Sequence, residues 1–77
     1  MKKTEVFSKQ SGHLGQYEEW WYLIEHEDGT QEIEKKWHDT KVNGLKTNSG
    51  SKVYSLEDGL REAPARAVDE VKSKLGL

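Results

Sequence analysis

The stretch Glu18 to Asp39, EEWWYLIEHEDGTQEIEKKWHD, decides how this chain folds. Two runs rich in aromatic and β-branched residues flank Asp28-Gly29, a dipeptide suited to the positive φ angles of a tight hairpin turn. A two-residue turn at that dipeptide makes Trp20 face Trp37 and Ile24 face Ile33, apolar against apolar. Alternation then gives the ribbon two faces. One carries Trp20, Tyr22, Ile24, Ile33 and Trp37, with His26 and Gln31 near the turn, and is expected to be the core face. The other carries Trp21, Leu23, Glu25, Glu27, Glu32, Glu34 and Lys36. In this register Glu25 stands directly opposite Glu32, an arrangement that costs stability and that a fold does not need. A three-residue turn, Glu27-Asp28-Gly29, shifts the register by one and sets Ile24 opposite Glu32. It is disfavoured on that ground.

Outward from the hairpin, Thr4–Lys9 reads as a short edge strand, and a further strand is expected around Val53. The segment 40–52 is rich in Asn, Gly, Ser, Thr and Lys and reads as a flexible loop. The C-terminal third has helical period: Leu56, Leu60, Ala63, Ala67, Val68, Val71 and Leu75 form one stripe. Ser55 is placed to cap a short first turn, Pro64 interrupts it, and a firm helix is expected from about Pro64 to Leu75, closed by Gly76. Strands first and helix last predict one α+β domain over residues 1–77. It combines a three- or four-stranded antiparallel sheet, the 18–39 hairpin central, with the C-terminal helix packed on one face.

Seventy-seven residues, 32% hydrophobic and 34% charged, allow only a thin core, although three Trp, three Tyr and a Phe bring much apolar area. Cysteine is absent, which removes disulfides and thiolate metal sites and fits a reducing, cytoplasmic setting. Met1-Lys2-Lys3 begins like a signal peptide, but no apolar stretch follows. No segment approaches the roughly 20 apolar residues of a membrane span. The net charge of −2 is unevenly spread: residues 17–34 carry −7 without a Lys or Arg, whereas residues 35–54 carry +4. Adjacent strands that complement one another explain this most simply.

No constellation names a reaction. His26 and His38 fall on opposite faces, His13 lies in a loop, and no metal-ligand spacing links them. The serines lack a nucleophile pattern, and so small a body has little room for a water-excluding pocket. Neither an enzyme nor a cofactor is therefore expected. The functional expectation is a protein-binding or accessory module. Its contact face holds Trp21 and Leu23 as apolar anchors, with Glu25, Glu32, Glu34 and Lys36 around them, and suits a basic protein partner. A symmetric dimer burying that face is a variant of the same reading. The plain alternative is that Val6, Phe7 or Leu14 folds over Trp21 and Leu23. The competing function is weak nucleic-acid binding through Lys35, Lys41, Lys46 and Lys52, with phosphate contacts and an aromatic to stack.

Overall fold

The computed structural model describes residues 1–11, 17–40 and 47–77. Four strands, β1 (Lys2–Ser11), β2 (Tyr17–Glu25), β3 (Gln31–Thr40) and β4 (Thr47–Ser55), form one antiparallel sheet in chain order. Two helices follow, α1 (Leu56–Glu62) and α2 (Ala65–Leu75), and pack against it, giving the α+β architecture expected. Ser55 caps α1 by accepting from the Asp58 amide at 3.2 Å, and Gly76 ends α2 in the left-handed conformation at φ 75°. Pro64 separates the helices as its ring and missing N–H demand.

The hairpin register differs from the expected one. Leu23 pairs with Ile33, Trp21 with Lys35, and Trp20 with Lys36. The turn is the three-residue one that the sequence disfavoured. Gly29 N donates to His26 O at 3.1 Å, His26 N donates to Thr30 O at 2.9 Å, and Gly29 takes φ 92°. A type I turn closed by a left-handed glycine uses Asp-Gly as readily as the two-residue turn does. Asp28 fastens it, accepting from Thr30 N at 3.0 Å and from Thr30 Oγ1 at 2.7 Å.

One residue of slip exchanges the two faces of β2 and leaves those of β3 in place. Trp21 and Leu23, expected outside, are 2% and 0% exposed and form the core with Val6, Ile33, Ala67 and Val71. Trp20, Tyr22 and Ile24, expected beneath the helix, lie on the face turned away from it. Val6 explains much of this. The β1–β2 register shifts between Glu5 and Phe7, and this bulge lets Val6 and Phe7 both join the core around Trp21. The plain alternative, Val6 and Phe7 folding over Trp21 and Leu23, is therefore what the fold adopts. Leu14 lies outside the described residues.

Gly59 sets how closely α1 approaches the sheet. A Cβ added there would stand 2.5 Å from the Cβ of Ile33, so the helix backbone rests directly on that side chain. Tyr54 reaches across to stack on Trp21, with ring centroids 6.1 Å apart. The expected loop at 40–52 is also corrected: β4 takes up residues 47–52, pairing with β3 in unbroken register from Glu32–Ser55 to Thr40–Thr47. Its polar residues are strand because β3 offers them a complete row of backbone partners, despite weak intrinsic preference. Residues 41–46 of that loop lie outside the described residues.

Candidate protein-binding face

Both helices lie on one side of the sheet, where α1 contacts β3 and β4 and α2 contacts β1. The opposite side carries four cross-strand rows, read from the pairing registers. They are Lys3–Ile24–Glu32–Ser55, Glu5–Tyr22–Glu34–Val53, Ser8–Trp20–Lys36–Ser51 and Gln10–Glu18–His38–Ser49. β2 therefore sets Trp20, Tyr22 and Ile24 in line down the middle of a polar face. Four carboxylates and two lysines surround that line in a mixed, net acidic frame: Glu5, Glu18, Glu32 and Glu34 against Lys3 and Lys36.

The apolar line is partly roofed by charge. Lys3 crosses Tyr22, its ammonium 4.6 Å from the ring centroid, to pair with Glu34. That hydrogen bond raises the Lys3 pKa despite some opposing desolvation. Lys36 lies 5.7 Å from the same centroid on Tyr22. Cation–π contacts at such sites are worth about 0.5–1 kcal/mol each. His26 meets Glu32 at 2.5 Å on this face, which corrects its expected place on the core side. Ile24 is 7% exposed beneath these groups, whereas Trp20 is half-buried and keeps contact with solvent. A shallow depression runs from Trp20 and Lys36 to His38, Ser49 and Ser51, where the short serines of β4 leave the indole uncovered.

The expected site is thus brought together only in part. Glu32, Glu34 and Lys36 share the open face as anticipated. Trp21 and Leu23 are core residues, and Glu25 belongs to the helix side, paired with Lys2 and Gln31. Trp20 and Tyr22 take the place of the two lost anchors, and Glu18 joins the frame. The missed signal was Glu25 opposite Glu32, a repulsion created by the wrong register and read as a functional feature. In the observed register Glu25 faces Gln31, and Glu32 has His26 beside it.

The lysines proposed for nucleic acid are also placed on the helix side. Lys35 and Lys52 are directly opposed there. Lys35 lies 3.7 Å from Glu19 Oε1 and 5.7 Å from the ring centroids of both Trp21 and Trp37, while Lys52 stands 4.9 Å over Tyr54. Lys41 and Lys46 lie outside the described residues.

Glu19 is the other notable carboxylate on that side, 5% exposed and accepting from Tyr17 Oη and Trp21 Nε1, each at 2.6 Å. Burial alone would raise its pKa, but those two hydrogen bonds and the Lys35 charge outweigh it and hold the carboxyl below its ordinary value. Each of its oxygens accepts one of these bonds, so the carboxylate clamps Tyr17 and Trp21 along β2. Among the described residues no group of three His, Asp or Glu side chains could hold a metal, and no helix is long and apolar enough to cross a membrane. Compared with known protein families, curated proteins and solved structures, the chain matches none.

Proposed function

We propose that this chain is a non-catalytic protein-binding module that receives a basic segment of a partner on its open sheet face. The observation that carries this reading is the one-sided placement of the helices, which leaves Trp20 and Tyr22 on the second strand of a bare face framed by Glu5, Glu18, Glu32 and Glu34. A half-exposed indole inside a polar rim is the usual composition of an interface anchor. The excess of carboxylates selects Lys or Arg on the partner and disfavours a phosphate backbone. Glu34, paired with Lys3 over Tyr22, would exchange that ammonium for a cation of the incoming chain, so binding should weaken with salt.

The test is a titration with an extended Lys/Arg-rich peptide and a matched Glu-rich peptide, followed through the indole N–H resonances. The expected result is a salt-sensitive shift of the Trp20 signal with the basic peptide alone, and calorimetric binding of that peptide that is lost in Trp20→Ser while the fold is retained. Shifts confined to the neighbourhood of Lys35 and Lys52, elicited by single-stranded DNA or RNA, would replace this reading with the nucleic-acid one. Absence of any response to the basic peptide would also overturn it.

A further inference from the structure

The two edges of the sheet are guarded unequally. β1 carries Lys2, Lys3 and Lys9, is bent by the bulge between Glu5 and Phe7, and is contacted by α2. Bulges, lysines and a covering helix are the devices that stop an edge from accepting another strand. β4 has fewer of them among the described residues: α1 contacts it and it carries one lysine, but it has no bulge. It pairs with β3 over nine consecutive positions without a shift, holds no proline, and has Lys52 as its sole charged residue. Its outer row of backbone N–H and C=O groups faces no further strand of the sheet. Asn48, Ser49, Gly50 and Ser51 present no bulk along it, and Val53 is 49% exposed at the same edge.

We infer that β4 is a strand-pairing edge whose occupant is β4 of a second copy of this chain, joined antiparallel about a two-fold axis at Ser51. Register selects this arrangement. Centring on Ser51 overlaps the full strand and sets Lys52 opposite the partner's Gly50, where Trp37 packs in the space a side chain would fill. Moving the axis one residue along, to Lys52, would oppose the two lysines, which is unfavourable. A groove lined by Lys52, Val53, Tyr54 and Ser55 of β4 and by Asp58, Arg61 and Glu62 of α1 borders this edge. No β3 residue lines it, which puts it on the outer side of β4. The antiparallel copy brings its small, uncharged Asn48-Ser49-Gly50 segment there. The resulting eight-stranded sheet ends on two guarded β1 edges, so association closes at a dimer instead of growing into a filament. Both open faces then lie on the same side, because directly opposed residues in an antiparallel pair share a face.

The 77 residues include no cysteine, so Ser51→Cys gives a clean test on this chain. Sedimentation over a concentration series should show a monomer–dimer equilibrium. Mild oxidation should link Ser51→Cys into a covalent dimer, whereas Ser8→Cys, at the β1 edge, should stay largely unlinked. Ser51→Lys opposes two charges on the axis and should raise the dimer dissociation constant several-fold, with unchanged circular dichroism. A chain that remains monomeric at every concentration overturns the inference. So does a dimer that Ser51→Lys leaves unchanged, or cross-linking as efficient through Ser8→Cys as through Ser51→Cys. None of these readouts depends on the basic-peptide titration, so either proposal can fail alone.

Discussion

Trp21 Nε1 donates to the Glu19 carboxylate at 2.6 Å, two residues apart on one strand and both buried. The bond settles an indole in the core without an unsatisfied N–H, and Tyr17 and Lys35 complete the carboxylate's shell. Glu19→Ala should therefore cost about 2–4 kcal/mol in chemical unfolding, since it strands a buried donor and leaves Lys35 uncompensated. Because the carboxyl is held below its ordinary value, its stabilisation is full above the ordinary glutamate range. It is lost as pH falls through the lowered folded value. Urea midpoints measured across the acid range should fall with pH in the native chain, and less steeply in Glu19→Gln.

Tyr17 should report the same cluster from the alkaline side. Burial, then the hydrogen bond to Glu19, pushes its phenol from 10.0 up to about 12. A raised folded pKa means that the stabilisation is complete below 10.0 and is lost as pH climbs through about 12. Phenolate absorbance should show one tyrosine titrating late in the native chain, and Tyr17→Phe should remove that step.

Gly59→Ala separates helix propensity from packing. In an exposed helix the change would stabilise by about 1 kcal/mol. Here the added Cβ would lie 2.5 Å from the Ile33 Cβ and 2.7 Å from its Cδ1, so α1 must lift from the sheet. A net loss of about 1–3 kcal/mol is expected in thermal or urea unfolding.

The turn can be shortened without moving the register. Deleting Glu27 leaves Asp28-Gly29 as a two-residue turn closed by the same His26–Thr30 pair, so Leu23 stays opposite Ile33 and Trp21 stays in the core. Cooperative urea unfolding should therefore persist in that variant. Gly29→Ala meets no atom within 4 Å, and its cost should be limited to the positive-φ penalty of about 1–2 kcal/mol.

Most of the architecture was legible in the residues. Ser55, Pro64 and Gly76 mark the helix boundaries by chemistry that tertiary context did not override, and the stripe from Leu56 to Leu75 found the sheet it required. The register was not legible from the hairpin alone. Trp20 and Trp21 are adjacent and equally apolar, so either can serve the core, and Asp28-Gly29 suits both turn lengths. The decision came from outside the hairpin: Val6 and Phe7 supply the packing for Trp21, and Gly59 needs Ile33 on that side. Glu25 against Glu32 carried the warning. A like-charge pair with no counterion was better evidence for a shifted register than for a binding site. β4 was obscured for a different reason, because Thr47–Ser51 is held by β3's backbone and not by its own side chains.

The register also divides the tryptophans sharply in mutational cost. Trp21→Ala empties a core position and should cost about 3–5 kcal/mol, a large share of the stability of so small a domain. Trp20→Ala should cost much less, because its indole is half exposed on the open face.

The register and the open face both depend on which of these neighbouring indoles is inside. Hydrogen exchange at the indole N–H groups, resolved by NMR with assignments from single Trp→Phe variants, measures this directly. The Trp21 proton, bonded to Glu19 and shielded by the helices, should exchange slowest, and the Trp20 proton should exchange at close to the solvent-limited rate. A protected Trp20 beside a freely exchanging Trp21 would contradict the register, the open face and the function proposed for it.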